Sequence, residues 1–151
     1  MTMLTKGTWV LVAGSEKALF LENITDTQDP HLQVRRKDEQ DNPPDREQSA
    51  SRPGRFNDGP SVHRSAVDDT DWHQLAKERF AADLAERLHK MVQGGRFDRL
   101  VLVAAPEVLG ELRKKLHQDV SDRVVGEIAK NLINHETGRI EDLVKEALAN
   151  A

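Results

Sequence analysis

The sequence predicts an α/β domain in which a five-stranded mixed sheet carries helices on both faces. Two continuous apolar runs, at residues 8–13 and 99–106, have the composition of strands that are buried on both faces. Helical periodicity is confined to the part of the chain after residue 71, so three strands come first. A chain of 151 residues has the usual length of one domain with one core, and we expect a single domain over 1–151.

The first three strands follow from apolar patterning and one short turn. The apolar run at residues 8–13 is followed by "GSEK" (14–17), which is short enough to return the chain antiparallel into a second strand over 18–23. Residues 31–37 alternate apolar and polar side chains, which predicts a third strand with one exposed face at the sheet edge.

A polar segment follows the third strand. Residues 38–60 hold four of the six prolines and only two hydrophobic residues, Ala50 and Phe56. Such a composition buries too little surface to offset the entropy lost on ordering. We therefore expect a flexible loop over 38–68, between the third strand and a long helix.

The second half of the chain alternates helices and strands. Apolar residues recur at three- and four-residue intervals from 72 to 92, which predicts a helix of about 22 residues that starts near Asp71 and ends at Gly94-Gly95. A fourth strand then leads into a helix that begins at Pro106. A fifth strand over 122–132 and a C-terminal helix complete the order, and right-handed crossovers place helices on both faces of the sheet. This order matches a ribonuclease-H-like fold, in which the fourth strand lies parallel beside the first.

Ribonuclease-H-like nucleases bind two metal ions through carboxylates on the first strand, a helix and the fourth strand. Here the first strand has no acidic residue, and the fourth ends in Ala104-Ala105-Pro106. Asp98 is interpreted as a turn residue, because a metal needs several convergent oxygens. We expect no metal site and no nuclease activity, and the lack of a glycine-rich phosphate loop predicts no nucleotide cofactor.

Composition restricts the partners and the compartment. The formal charge of -4 does not indicate a nucleic-acid binder by bulk electrostatics, so any RNA contact would need a local basic patch. The chain has no cysteine, which excludes disulfides and thiolate chemistry. No apolar run is long enough for a membrane span, and the N-terminal apolar stretch is too short for a signal peptide. We expect a cytoplasmic protein that does not bind membranes.

The candidate binding residues lie on the third strand and in the loop. Arginines could pair with phosphates along a basic track, and Phe56 could stack on a base or fill a pocket of a partner. The alternative interpretation, a charged edge strand that discourages aggregation beside a solvated loop, stays open. The candidates are Arg35, Arg36, Lys37, Arg52, Arg55, Phe56, Asp58 and His63.

Two alternatives to this binding surface remain. A hydrolase could use Ser61, His63 or Asp58 in the loop, where Ser61 and His63 lie close in sequence, although a nucleophile must be held rigidly near its base. If the loop is a passive tether, the next place to look is the turn at 14–17 together with the corner at Ala105-Pro106, at the ends of the central strands.

Three segments resemble the bacterial host attachment protein family, whose name describes proteins required for attachment to host cells. They are "WVLVAGSEKALFLEN", the "GRFNDG" loop leading into "DWHQLAKERFAADLAERLHK", and "FDRLVLVAAPEVLGELRKKL". The resemblance covers nearly the whole chain. It implies no catalytic residues, because none are agreed for that family.

That family in turn is similar to the middle domain of archaeal and eukaryotic peptide-chain release factors. In those factors the loop between third strand and long helix carries a Gly-Gly-Gln that enters the ribosomal peptidyl-transferase centre. Here the loop contains "PGRF" and "NDG" instead, so we do not expect peptide release. The resemblance implies a non-catalytic adaptor that binds the ribosome, an RNA or a protein partner through residues 38–64. A hydrolase or a protein that contributes to host-cell attachment is the alternative, and the oligomeric state is left open.

Overall fold

The structure is a computed structural model that describes residues 4–40 and 59–149, with the backbone alone described over 59–73. Its strands are β1 (Trp9–Ala13), β2 (Lys17–Asn23), β3 (Leu32–Glu39), β4 (Leu100–Ala104) and β5 (Val124–Ile128). Its helices are α1 (Gly59–Gln93), α2 (Pro106–Lys115), α3 (Gln118–Ser121) and α4 (Thr137–Ala149).

The strands form one sheet in the order β3-β2-β1-β4-β5. β1 pairs antiparallel with β2, in register from Trp9↔Glu22 to Ala13↔Ala18, and parallel with β4, from Trp9↔Leu100 to Ala13↔Ala104. The predicted α/β class, the mixed five-stranded sheet and the parallel pairing of the first and fourth strands are confirmed. The strand order is compatible with a ribonuclease-H-like fold.

Alternating side chains of the central strands enter two separate cores, one on each face of the sheet. Leu11 and Leu102 pack with the buried residues of α1 and α2, whereas Val12 and Val103 pack with those of α4. All residues of β1 and β4 are buried, as their continuous apolar composition predicts. The prediction of helices on both faces is thus confirmed.

The edge strand β3 is more exposed than its alternation predicts. Of its eight residues only Leu32 is buried, and Val34, expected on a covered face, is 38% exposed. Alternation predicts which side chains share a face of the strand. It does not predict whether a helix covers that face, and on most of β3 the side chains are exposed.

The long helix α1 corrects two predicted boundaries. It starts at Gly59 rather than near Asp71, and its 35 residues span about 52 Å. β3 continues to Glu39, so the loop predicted over 38–68 is strand at 38–39 and helix from 59 onward. Before Asp71 the only apolar side chains of the helix apart from Pro60 are Val62, Ala66 and Val67, which are too few to give a clear helical period, and Pro60 lies at a position that tolerates proline. The expected flexibility of 41–58 concerns residues outside the described part.

The ends of the other elements follow local chemistry. Gly95, just after α1, has a φ of +71°, a left-handed value that glycine adopts without strain, as the Gly94-Gly95 pair predicts. α2 begins at Pro106 as expected. β5 covers only Val124–Ile128 of the strand predicted over 122–132, and the single turn α3 has no counterpart in the sequence analysis.

Candidate functional site

A cavity of about 500 Å³ lies at the carboxyl ends of β1 and β4. It is bounded by the β1–β2 turn, by α1, by the first turns of α2 and by the segment after β5. In open α/β sheets, ligands bind in crevices outside the carboxyl ends of the strands. Its lining residues are Gly14, Ser15, Gln74, Lys77, Phe80, Ala81, Leu84, Ala105, Glu107, Val108, Glu111 and Asn131.

Small residues at the two strand ends border this space. β1 ends in Ala13-Gly14 and β4 in Ala104-Ala105, so no long side chain projects from the ends of the central strands. The amide of Gly14 donates to the carbonyl of Lys17 at 2.7 Å, which closes the turn. A Cβ at Gly14 would lie 3.1 Å from Cγ2 of Ile133, so glycine here allows the turn to pack against the segment after β5.

One wall of the cavity is apolar and belongs to α1. Phe80, Ala81 and Leu84 are buried, and Leu84 neighbours both of the others on the helix surface because it follows Ala81 by three residues and Phe80 by four. Val108 of α2 is half-buried and also lines the cavity. The cavity therefore offers an ordered apolar surface to an occupant.

The rim of the cavity carries charges of both signs. Lys77 of α1 and Glu107 of α2 are exposed, and neither forms an ion pair within the described residues. Glu111, one turn after Glu107, lies 3.4 Å from Nζ of Lys115 and 3.5 Å from Nζ of Lys114. Desolvation raises the pKa of Glu111, but the hydrogen bonds and charges of the two lysines outweigh it and hold the pKa below its ordinary value.

The end of β3 is anchored beside this cavity. The backbone amide of Gln40 donates to the carbonyl of Glu16 at 2.6 Å, and its side-chain amide donates to the carbonyl of Ala76 at 3.1 Å. Glu16 follows Ser15, and Ala76 precedes Lys77, so both contacts adjoin the cavity lining. The chain therefore enters the segment 41–58 from a fixed position at the cavity rim.

The predicted basic residues of β3 are each paired with an acid. Nε of Arg35 lies 2.9 Å from Oε1 of Glu22, and Nε of Arg36 lies 2.6 Å from Oδ1 of Asp38. Nζ of Lys37 lies 3.0 Å from Oε1 of Glu39, and this hydrogen bond lowers the pKa of Glu39. Acids on β2 and on β3 itself thus balance the three cations.

The other predicted site residues lie outside the described side chains. Arg52, Arg55, Phe56 and Asp58 fall in the segment 41–58. His63 belongs to α1, in the part for which only the backbone is described. That these residues form one binding surface with Arg35–Lys37 therefore stays a prediction.

A stacked pair of histidines joins α1 to α3, and the sequence analysis did not single it out. The rings of His89 and His117 are 3.9 Å apart and inclined by 10°. His89 Nδ1 lies 3.0 Å from Oδ1 of Asp119, and His117 Nε2 lies 2.9 Å from Oε1 of Glu86. Because these partners come from distant parts of the chain, no spacing motif signals them. Within the described ranges, no group of three or more such side chains could hold a metal ion.

Comparison with known proteins identifies the family. A family model described as bacterial archaeo-eukaryotic release factor family 12 matches residues 7–144. The chain belongs to this family. Membership confirms the release-factor similarity and suggests a translation-related role, whereas the host attachment name stays a prediction. A comparison with curated proteins gives no match.

Membership in a release-factor family points to a partner in translation, such as the ribosome. None of the helices described over 59–93 and 106–149 has an apolar stretch long enough to cross a bilayer.

Proposed function

We propose that this chain is a non-catalytic adaptor of the translation machinery that binds the ribosome through residues 38–64. Membership in a release-factor family supports the ribosome over an isolated RNA or an unrelated protein as partner. The sequence of the segment lacks Gly-Gly-Gln, so the adaptor binds without releasing peptides.

The observation that carries this proposal is the anchored base of the segment. Gln40 bonds to both the β1–β2 turn and α1, at 2.6 and 3.1 Å. Asp38 adds a second link, because its carboxylate lies 2.6 Å from Nε of Arg36 and 3.7 Å from Nε of Arg87 on α1. A binding segment held by a rigid scaffold is a common arrangement in proteins, and it gives the segment a defined origin.

The ion pairs on β3 support a contact through the segment more than through the strand. Arg35, Arg36 and Lys37 are already paired with acids, so a phosphate backbone would have to compete for them. Arg52 and Arg55 lie in a stretch with fewer acids nearby, and Phe56 supplies an apolar contact. Phosphate pairing and aromatic stacking are the interactions with which such residues bind RNA.

Co-sedimentation with ribosomes tests the proposal. The full chain is centrifuged with purified ribosomes at low and moderate salt, beside the triple variant Arg52→Ala, Arg55→Ala, Phe56→Ala. We expect the parent to sediment with ribosomes, the triple variant to lose most of this binding, and the loss to be largest at low salt.

The matched control is the double variant Arg139→Ala, Lys145→Ala, which removes two exposed cations from α4. It should sediment like the parent and keep the melting temperature of the parent, because changes to exposed residues affect stability little. The melting temperature of the triple variant is measured alongside, so that a loss of binding is not mistaken for unfolding. A parent that stays in the supernatant, or a triple variant that sediments as well as the parent, would refute the proposal. In a separate capture experiment, the chain is incubated with a ribosome-free lysate with and without ribonuclease. Retention of RNA that is lost only after ribonuclease treatment would identify free RNA as the partner.

A further inference from the structure

We propose that the cavity at the ends of β1 and β4 binds a small zwitterionic molecule with an apolar side chain, of which an apolar α-amino acid is the simplest example. This inference goes beyond the adaptor function and does not depend on it. The cavity volume of about 500 Å³ falls within the range of small-molecule sites, about 300–1,000 Å³. Its position at the carboxyl ends of adjacent parallel strands is the place where open α/β sheets bind ligands.

The apolar wall of the cavity favours a ligand with an apolar side chain. Phe80, Ala81 and Leu84 are buried residues of a long helix, so their positions are set by the core behind them. Together with Val108 they offer apolar surface but no side-chain hydrogen-bonding group. A branched or aromatic side chain gains free energy here by leaving water, whereas a polar one would lose its hydrogen bonds to water.

The unpaired charges of Lys77 and Glu107 determine which polar groups the ligand should carry. Lys77 and Glu107 line the same cavity from different helices, and neither has an ion-pair partner in the described part of the chain. A ligand with only a carboxylate would meet Lys77 but also Glu107, and a simple amine would meet the reverse problem. A zwitterion places a charge of opposite sign at each, which is the complementarity that gives an interface its specificity.

Glu111 does not change this assignment. Lys114 and Lys115 already hold its carboxylate, and its lowered pKa keeps it ionised within that group. The remaining polar residues of the lining, Ser15, Gln74 and Asn131, carry no charge and can donate to or accept from either end of the ligand. The charged selectivity of the cavity therefore comes from Lys77 and Glu107.

Binding of three matched probes tests the inference on the full chain. L-leucine carries both charges, leucinamide carries only the ammonium, and 4-methylpentanoate carries only the carboxylate on the same apolar body. Affinities are measured by calorimetry and ligand-observed NMR up to about 10 mM. We expect L-leucine or L-phenylalanine to bind about tenfold more tightly than either singly charged probe, the size of effect that one charged hydrogen bond gives.

Single variants separate the two charges. Lys77→Met should weaken L-leucine about tenfold and should strengthen leucinamide, because it removes the like charge that opposes the ammonium. Glu107→Gln should likewise weaken L-leucine and strengthen 4-methylpentanoate, whose carboxylate Glu107 opposes. The controls Lys90→Met and Glu146→Gln remove charges that do not line the cavity, and should bind all probes like the parent. Ala81→Leu keeps both charges but fills the cavity, and should weaken every probe.

Two outcomes would overturn the inference. One is no binding of either amino acid in the stated range. The other is binding that neither Lys77→Met nor Glu107→Gln reduces. Both replaced side chains are exposed, so these variants should retain the melting temperature of the parent, and a failure of binding would not reflect unfolding. Neither outcome bears on ribosome co-sedimentation, so the two proposals fail separately.

Discussion

Replacement of Asn23 by alanine should destabilise the domain more than any single surface change. Asn23 is the last residue of β2, and it is fully buried. Its side-chain amide connects the segment before β1 to the turn after β2, because both of its polar ends are bonded. Nδ2 donates to the carbonyl oxygens of Leu4 at 2.8 Å, Thr5 at 3.2 Å and Asp26 at 3.2 Å. Oδ1 accepts from the amides of His31 at 2.9 Å and Thr25 at 3.3 Å, and from Thr25 Oγ1 at 3.2 Å.

The magnitude follows from the groups that the change leaves unpaired. The carbonyl of Leu4 and the amide of His31 make the two shortest hydrogen bonds to Asn23. The bond to Leu4 is buried, so water cannot readily replace it. Each buried polar group without a partner costs about 1–3 kcal/mol. The expected loss for Asn23→Ala is therefore about 2–6 kcal/mol, which lowers the melting temperature of a domain of this size by about 4–24 °C.

Urea unfolding followed by circular dichroism measures this loss, with Asn134→Ala, an exposed asparagine, as the control. Asn23→Asp gives a second measurement, since it keeps the acceptor and removes the donor. At neutral pH it should be at least as destabilising as alanine, because a carboxylate would face the carbonyl of Leu4. A loss below about 1 kcal/mol for Asn23→Ala would show that the network does not hold the two segments together.

Three further predictions test the core, a helix end and the histidine pair. Leu102→Ala removes a fully buried side chain from central strand β4, and chemical denaturation should show a loss of about 2–5 kcal/mol. Gly95→Ala places a side chain at a φ of +71° with open space around it, so calorimetry should show a conformational cost of about 1 kcal/mol without a packing clash. The hydrogen bond from a histidine lowers the pKa of Glu86; at Asp119 desolvation raises the pKa, but a histidine hydrogen bond and nearby charges outweigh it and lower it overall. A carboxylate with a lowered folded-state pKa stabilises the fold above its unfolded pKa, so this contribution is lost as the pH falls below about 4.5, and Glu86→Gln with Asp119→Asn should flatten acid unfolding curves in that range.

The sheet could be predicted because its central strands are continuous apolar runs. Residues of β1 and β4 are buried on both faces, so composition alone distinguishes them from edge strands and from amphipathic helices. The match of the element order to a ribonuclease-H-like fold then predicted that the first and fourth strands are parallel neighbours. The start of α1 could not be predicted in the same way, since its first turns lack apolar periodicity and hydrophobic patterning carries no information there.

The candidate site could be predicted only in part. The turn at 14–17 and the corner at Ala105-Pro106 were recognisable as the ends of central strands, and the cavity lies there. Lys77 and Asn131 could not be assigned to it, because their approach depends on how α1 and the segment after β5 lie against the sheet. The sequence places the three cations on the third strand, but their acidic partners on β2 and β3 become apparent only with the strand register.

The base of the proposed ribosome-binding segment adjoins the cavity, so the two proposals can be tested for coupling. Gln40, the anchor of the segment 41–58, bonds to Glu16 and Ala76, which are the chain neighbours of the cavity residues Ser15 and Lys77. If L-leucine changes the affinity for ribosomes by some factor, thermodynamic linkage requires ribosomes to change the affinity for L-leucine by the same factor. Co-sedimentation repeated with saturating L-leucine therefore measures the coupling between the sites. Because Gln40→Ala removes only the side-chain bond to Ala76, a coupling that passes through this anchor should fall in that variant while the affinity for L-leucine alone is unchanged.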